Sequence, residues 1–205
     1  MTDTPDADLL RAFAAGDARA FERLYARHQA ALYRFVKRLL GRAAAGQVDE
    51  VYQDTWLRVI QHAASWQPQG AAFRTWLFTL AQHRAIDCLR KLGRETSLDE
   101  HDDGGEPWEP AGTAWQGWPA ADAAARGAED QAFWRAAGQR LLDCLDGLPV
   151  AQKSAFLLHH EDGLGLDEMA KALGVGFETA KTRLRYAMSK LRSCMGAYLP
   201  QKVTT

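Results

Sequence analysis

The chain has 205 residues, of which 47% are hydrophobic, and its 25 lysines and arginines nearly balance its 26 aspartates and glutamates. This length and apolar content can bury a sizeable core, which excludes a chain that is disordered throughout. No run of about eighteen apolar residues is present, and the acidic start lacks the parts of a signal peptide, so the sequence predicts a soluble cytoplasmic protein. The widely spaced Cys88, Cys144 and Cys194 are odd in number, which predicts reduced thiols rather than a disulfide framework or a zinc site.

Most of the chain has the hydrophobic pattern of amphipathic helices. Apolar residues recur three and four positions apart, and no sustained two-residue alternation indicates a strand. The fold class is therefore predicted to be all-α. The predicted helices span residues 6–15, 18–41, 47–63, 71–92, 129–147, 151–161, 166–173 and 177–197.

The charge is divided unevenly along the chain. Residues 1–92 carry a net charge of +4, residues 93–130 carry −8, and residues 131–205 carry +3. Glycines and prolines interrupt any regular element between residues 93 and 128, which predicts two small helical domains, 1–92 and 129–205, joined by a long flexible acidic linker. Across such a linker the two domains need not touch. The basic flanks suit contact with a polyanion, although small net charges also arise by chance.

The linker contains Trp108, Trp115 and Trp118, three of the chain's seven tryptophans. A solvated linker rarely contains so many large aromatic side chains. Docking of these rings on another surface and a plain solvated linker both remain open.

One face of the third predicted helix is polar around a single leucine. A helical wheel of residues 49–62 assigns to the core Val51, Tyr52, Thr55, Trp56, Val59 and Ile60. The opposite face carries Leu57 among acids and amides. An isolated exposed leucine is common, but one in this setting also suits the anchor of a small interface with a basic protein.

A basic stripe follows the fourth predicted helix. Within an arc of roughly 120° lie His83, Arg84, Asp87, Arg90 and Lys91. The aromatic rings of Phe73 and Trp76 extend this stripe. Positive side chains neutralise phosphates and aromatic rings stack on unpaired bases, so the stripe suits single-stranded DNA, but both rings could instead belong to the core. The preceding loop, with Ser65, Trp66 and Gln67, could hold a flipped base.

A short helix, a glycine turn and a longer helix follow near the C-terminus. Gly174 supplies the left-handed turn residue. The buried residues of this pair are predicted to be Met169, Ala170, Leu173, Phe177, Ala180, Leu184, Met188 and Leu191. The outward face of the second helix is polar and basic, which suits a recognition helix in the DNA major groove.

Motifs of catalysis are absent from the sequence. It has no phosphate-binding glycine loop, no G-x-S-x-G motif and no histidine and cysteine set at metal-ligand spacing. The polar cluster at residues 159–162 lies at a predicted helix end, where solvation is the expected state. We therefore expect no enzyme activity, no metal and no cofactor.

Three segments resemble, in order and spacing, regions two and four of the extracytoplasmic-function (ECF) group of bacterial sigma factors. They read DEVYQDTWLRVI, FRTWLFTLAQHRAIDCLRK and GLGLDEMAKALGVGFETAKTRLRYAMSKLR. The resemblance implies a region 2 helical bundle and a region 4 helix-turn-helix. It also implies a sigma factor that binds core RNA polymerase, recognises the minus-thirty-five and minus-ten promoter elements, and promotes DNA melting and initiation. A helix-turn-helix regulator without sigma activity is the alternative, and such a regulator would not need the face around Leu57.

The resemblance also implies which residues serve each surface. Contact with the clamp helices of the polymerase β′ subunit is expected of Asp49, Glu50, Gln53, Asp54 and Leu57. Contact with the melted minus-ten element is expected of Ser65, Trp66, Gln67, Trp76, His83, Arg84, Asp87, Arg90 and Lys91. Contact with the minus-thirty-five duplex is expected of Glu178, Thr179, Lys181, Thr182, Arg183, Arg185 and Lys190.

Further partners follow from the same resemblance. The linker is expected to pass through the polymerase's active-site cleft and RNA exit channel, and contact with the β subunit is also expected. An anti-sigma factor, often membrane-bound, commonly covers both DNA-binding domains in this group and would hold a cytoplasmic protein at the inner membrane. The sequence departs from the group at His83, where asparagine is usual, at Gly165, where a serine commonly caps the helix, and at Gly176, where proline is frequent.

Overall fold

The computed structural model describes residues 4–68, 72–93, 128–160 and 162–198. These residues form α-helices and two 3-10 segments, without a strand among them, so the all-α prediction is confirmed. The α-helices are α1 (Asp6–Ala14), α2 (Ala18–Leu40), α3 (Val48–His62), α4 (Phe73–Lys91), α5 (Ala128–Asp146), α6 (Val150–His160), α7 (Leu166–Leu173) and α8 (Phe177–Met195). The 3-10 segments span Arg42–Gln47 and Gly196–Tyr198. The interpretations of the linker tryptophans Trp108, Trp115 and Trp118 lie outside the described residues.

Local signals in the sequence fix several helix ends. The Asp17 carboxylate accepts a hydrogen bond from the backbone N–H of Arg19 at 3.0 Å and so caps α2. Gly174 has a φ of +64° and ends α7 in the left-handed conformation, as predicted. At the start of α7, where Gly165 has no side chain to cap with, the Glu168 carboxylate accepts from the Gly165 N–H at 3.1 Å.

Helix α1 is held on α2 by a partly buried charge cluster. The Asp6 carboxylate lies 2.8 Å from Nε2 of His28 and also pairs with Arg27. Burial raises the pKa of Asp6, but the hydrogen bonds and positive charges of His28 and Arg27 outweigh that effect and hold its pKa below the ordinary value. The carboxylate is therefore more stable as an anion in the folded chain than in the unfolded chain.

The helices form two groups that share one hydrophobic core. Helices α2, α3 and α4 pack around aromatic contacts such as that of Phe35 with Phe78, whose ring centroids are 5.2 Å apart. Helices α5 to α8 form the second group, in which α6 and α7 pack on α8. The buried side chains of both groups belong to one continuous cluster, because α2 contacts α6 and α4 contacts α7.

The group of α2, α3 and α4 is therefore in contact with the group of α5 to α8. The length of the linker allows this contact but does not require it. Asp146 of α5 accepts hydrogen bonds from the backbone N–H and the Nε of Arg42, at 3.3 and 3.1 Å. The buried ammonium of Lys153 lies 3.4 Å from the same carboxylate. Burial lowers the pKa of Lys153, and the charge of Asp146 opposes this effect.

The prediction of three reduced cysteines is wrong for two of them. Cys144 of α5 and Cys194 of α8 form a disulfide, and Cys88 is free. Their Cα atoms are 5.9 Å apart because α5 and α8 pack side by side, whereas 50 residues separate them in the sequence. Spacing alone could not show this packing.

Two side chains that the helical wheels assign to the core are exposed. Ile60 is 43% exposed and Phe177 is 40% exposed. Ile60 is two residues before the end of α3 and Phe177 is the first residue of α8, so both side chains lie near a helix end. The other assigned residues of these stripes are buried or partly buried.

Within the described parts of the chain, no helix has both the length and the apolar character that crossing a membrane requires. The same residues contain no group of histidines, cysteines and acids suited to hold a metal ion.

Candidate functional surfaces

The outward face of α3 presents two apolar side chains among acids and amides. Leu57 is 53% exposed, and Ile60 lies one turn further along the same helix. Asp49, Glu50 and Gln53 are exposed beside them. The helical wheel assigns Ile60 to the core, at the border of its apolar arc, and the structure exposes the side chain instead. The α3 face comprises Asp49, Glu50, Gln53, Leu57 and Ile60.

Two hydrogen-bonded groups fix the rim of this face. The Tyr33 hydroxyl of α2 donates to Asp49 at 3.1 Å, and this hydrogen bond and the negative charge raise the pKa of Tyr33. Asp54 is half-buried and pairs with Arg84 of α4 and, at 3.6 Å, with Arg58. The structure thus joins a residue expected at the polymerase with one expected at the minus-ten element.

Three aromatic rings meet where α3 leads into α4. Trp66 lies 5.8 Å from Trp76 and 6.0 Å from Phe73, measured between ring centroids. Phe73 is only 2% exposed and belongs to the core, whereas Trp66 and Trp76 are half-buried. The Ser65 hydroxyl donates to the carbonyl of His62 at 3.1 Å, which stabilises the end of α3, and Gln67 is exposed.

The charged stripe of α4 contains acid–base pairs as well as exposed positive groups. Asp87 lies between two arginines, 3.7 Å from Arg84 and 3.6 Å from Arg90. His83, Arg90 and Lys91 are exposed. A negative strand could approach this side of α4, because the exposed groups at its edge are cationic or polar.

Helix α8 exposes the polar side that the sequence predicts. Glu178 and Thr179 are exposed in its first turn, and Glu178 lies 3.8 Å from Lys181. The remaining expected residues are partly exposed and comprise Lys181, Thr182, Arg183, Arg185 and Lys190. The Arg185 guanidinium lies 5.1 Å from the ring centroid of Tyr186, a contact that holds the arginine along the helix surface.

Residues of α4 and α8 line one cleft between the helical groups. The α4–α8 cleft has a volume of about 550 Å³. Its charged lining comprises Arg58, His83, Arg84, Asp87, Arg90 and Arg183. Candidate minus-ten and minus-thirty-five residues therefore face the same space, which their distance in the sequence does not reveal.

Two family models match the chain over separate segments. The model described as sigma-70 region 2 matches residues 24–95, and the model described as sigma-70 region 4 matches residues 138–191. The first segment contains α3 and α4, and the second contains α7 and most of α8. Together they include the α3 face, the α4 stripe and the polar side of α8.

Curated relatives resemble the chain along most of its length. The ECF RNA polymerase sigma factor SigK of Mycolicibacterium vanbaalenii is 29% identical over 92% of this chain and 88% of that protein. SigK of Mycobacterium tuberculosis strain H37Ra is 28% identical over 91% of each chain.

Two solved structures share the fold. CnrH in complex with the cytosolic domain of CnrY has a TM-score of 0.63, with 24% identity over 94% of this chain and 97% of that one. The sigma factor RpoE of Bartonella quintana in complex with the anti-sigma factor NepR has a TM-score of 0.61, with 20% identity over 87% of this chain and 98% of that one.

Proposed function

Because the chain belongs to the sigma-70 family as a sigma factor of the ECF group, we propose that its α3 face, its α4 stripe and the polar side of α8 carry the separate steps of transcription initiation. A sigma factor of this group binds core RNA polymerase, recognises the two promoter elements and promotes DNA melting.

The α3 face is the contact with core RNA polymerase. Its exposed Leu57, with the exposed Ile60 one turn away, is the single observation that carries this assignment, because an apolar centre inside a polar rim is typical of a protein interface. Asp49, Glu50 and Gln53 surround the apolar centre with acids and an amide, which suits a basic surface such as the clamp helices of the β′ subunit. Ile60 enlarges the apolar centre, and Asp54 positions Arg84 at its edge.

Residues 65–67, which follow α3, and the stripe of α4 contact the minus-ten element. Trp66 and Trp76 present partly exposed rings on which an unpaired base can stack. Ser65 and Gln67 flank these rings, and the groups that neutralise phosphates or contact bases are His83, Arg84, Asp87, Arg90 and Lys91. Phe73 supports the rings from the core and does not contact the strand.

Helix α8 reads the minus-thirty-five element from the major groove. Glu178 and Thr179 lie in its first turn, where recognition helices of this motif contact base edges. The groups nearest the phosphates and flanking bases are Lys181, Thr182, Arg183, Arg185 and Lys190.

The domain division follows the same assignment. Residues 1–92 form the polymerase-binding and minus-ten domain, residues 93–128 the acidic linker, and residues 129–205 the minus-thirty-five domain. The negative charge of the linker suits polymerase channels built for nucleic acid, including the surface of the β subunit. The chain acts through binding, without an enzymatic step, metal or cofactor of its own.

An anti-sigma factor is the expected regulator in the cytoplasm. RpoE of Bartonella quintana was solved with the anti-sigma factor NepR, and this chain shares its fold over 87% of its length. Such a partner, if anchored, would hold the sigma factor at the inner membrane and cover its promoter surfaces.

Run-off transcription with core RNA polymerase over a library of genomic promoters tests the proposed function. Addition of the chain should direct initiation from a defined set of promoters that share two elements. Binding to duplex DNA without any directed initiation would instead indicate a helix-turn-helix regulator and would contradict the assignment of α3.

A further inference from the structure

Tyr33 of α2 borders the α3 face without belonging to it. Its side chain is 38% exposed, and its hydroxyl donates to Oδ1 of Asp49 at 3.1 Å. The hydrogen bond places the tyrosine next to the first turn of α3, where Asp49 and Glu50 lie. Tyrosine is one of the residue types that contribute most to binding energy at protein interfaces. Tyr33 is therefore a candidate contact, although the helical pattern of α3 does not include it.

A row of aromatic side chains holds Tyr33 in place from the core outward. Its ring packs edge-to-face against that of Tyr52, with 5.3 Å between the ring centroids. The Tyr52 hydroxyl donates to the Tyr25 hydroxyl at 3.0 Å. The Tyr25 ring lies 4.9 Å from that of Trp56, which is only 5% exposed. Because this row begins in the core, Tyr33 loses little side-chain freedom when a partner binds to it.

Asp49 carries a negative charge that the described residues do not neutralise. The carboxylate is exposed, makes no ion pair within the described parts of the chain, and accepts its hydrogen bond from the uncharged Tyr33 hydroxyl. Asp54 of the same helix differs, because it pairs with Arg58 and Arg84. The hydrogen bond from Tyr33 uses Oδ1 and leaves Oδ2 for another donor. A carboxylate and an aromatic ring, the two groups that attract a cation most directly, thus lie side by side.

We propose that Tyr33 and Asp49 form one site for a cationic side chain of core RNA polymerase. The cation pairs with Oδ2 of Asp49, and the Tyr33 ring covers it from the side of α2. The polymerase contact thereby extends from the α3 face onto a second helix. This inference rests on the proposed function, because it names a partner group for that face. The family resemblance implies a contact for Asp49 but not for Tyr33.

Affinity of the full chain for core polymerase, measured by fluorescence anisotropy at low and high salt, tests the site. Tyr33→Leu should lower the affinity about tenfold, because it removes the ring that covers the cation. Tyr33→Phe keeps the ring and should stay within about threefold of the unsubstituted chain. Asp49→Asn keeps an acceptor for the Tyr33 hydroxyl but removes the charge. It should lower the affinity about tenfold at low salt and less at high salt.

The double variant of Tyr33→Leu with Asp49→Asn tests whether both groups hold the same cation. Loss of either group weakens the same contact, so the double variant should lose no more than about thirtyfold in affinity. Two independent contacts would instead give the product of the single losses, about a hundredfold. A loss equal to that product, or a loss for Tyr33→Phe as large as that for Tyr33→Leu, would overturn the shared site.

Glu22→Gln is the matched control for the loss of charge, because Glu22 is exposed on the same helix as Tyr33, about 16 Å away along its axis. It should leave polymerase affinity unchanged, and circular dichroism should show that all the variants fold. Unchanged affinity of the Tyr33 and Asp49 variants, together with loss of binding by Leu57→Asp, would overturn this site but retain the α3 face. Retained binding by Leu57→Asp would instead contradict the proposed function of that face.

Discussion

Arg42 donates twice to the carboxylate of Asp146, from its backbone N–H at 3.3 Å and from its Nε at 3.1 Å, across 104 residues of sequence. This contact joins the C-terminal end of α2 to the C-terminal end of α5. The two hydrogen bonds can form because the residue before Arg42 is Gly41, whose lack of a side chain leaves room for the Asp146 carboxylate. Separation of the two helical groups must break both hydrogen bonds.

Gly41→Ala should weaken the contact between the helical groups. A Cβ at this position would collide with the Asp146 carboxylate, and the φ of +58° with a ψ of −161° is a conformation that essentially only glycine adopts. We expect a loss of about 2–4 kcal/mol in the free energy of unfolding, and a larger radius of gyration in small-angle scattering.

Gly16→Ala is the matched control for this change. Gly16 also has a positive φ, of +104°, but a Cβ there would meet nothing within 4 Å. It should therefore destabilise the chain through backbone strain alone, without expansion. Equal effects of the two substitutions on the radius of gyration would contradict the role of the Asp146 contact.

Acidification should weaken the attachment of α1 to α2. The pKa of Asp6 is lower in the folded chain than in the unfolded chain, so its ion pairs stabilise the fold above the ordinary pKa of 3.8 and are lost as the pH falls through the folded value. Asp6→Asn should lower the free energy of unfolding in urea by about 1–2 kcal/mol at pH 7. This is a small value for hydrogen bonds to a charged group, because the site is partly exposed. The difference from the unsubstituted chain should shrink below pH 4. Asp8→Asn, which alters an exposed pair with Arg11, should have less than half this effect at pH 7.

Loss of the disulfide should destabilise the second helical group. Cys144 and Cys194 close a loop of 50 residues, and such a cross-link typically contributes about 2–4 kcal/mol by restricting the unfolded chain. Cys144→Ser should lower the unfolding midpoint in thermal denaturation, and a reductant should have the same effect on the unsubstituted chain. Cys88→Ser removes only a free thiol and should change stability little. Reaction of all three cysteines with a thiol reagent in denatured, unreduced protein would contradict the disulfide.

Leu57→Asp should abolish holoenzyme formation without loss of folding. The side chain is 53% exposed, so its replacement creates no cavity, but it places a charge at the apolar centre of the α3 face. We expect affinity for core polymerase, measured by fluorescence anisotropy, to fall at least about thirtyfold, the equivalent of about 2 kcal/mol. Leu142→Asp, at an exposed leucine of α5, is the control and should retain polymerase binding. Retained binding by Leu57→Asp would exclude the α3 face as the interface.

Arginines of α8 should contribute to the salt dependence of promoter binding. Arg183→Ala or Arg185→Ala should weaken holoenzyme binding to a cognate promoter and reduce the slope of log affinity against log salt by about 1 each. Arg192→Ala, an exposed arginine at the other end of the same helix, should leave that slope unchanged. Slopes that do not respond to the first two substitutions would show that these arginines do not neutralise phosphates.

The sequence predicts individual helices well because their signals are local. The eight predicted spans agree with the observed helices to within two residues, since the caps and the apolar periodicity act over a few positions. The same periodicity misplaces Ile60 and Phe177, because exposure near a helix end depends on what remains to cover it.

The arrangement of the helical groups depends on contacts that no local pattern reveals. Asp146 lies 104 residues from Arg42, and the cleft residues Arg90 and Arg183 are similarly distant in sequence. The sequence does not predict the disulfide for the same reason, because only the packing of α5 on α8 brings its cysteines together. Composition and family resemblance predict the candidate surfaces, but their convergence on one cleft depends on packing between helices that are distant in the sequence.

Glu168 has a second contact besides the one that begins α7. Its Oε2 accepts from the Gly165 N–H, and its Oε1 lies 3.5 Å from the Thr75 hydroxyl of α4. Separation of the helical groups would remove the contact with Thr75 but leave the hydrogen bond from Gly165, so α7 would keep the contact that begins it. The amides of α7 should therefore be protected from hydrogen exchange whether the helical groups are in contact or separated. A separated chain would keep its helix-turn-helix folded while the rest of the interface is exposed to water.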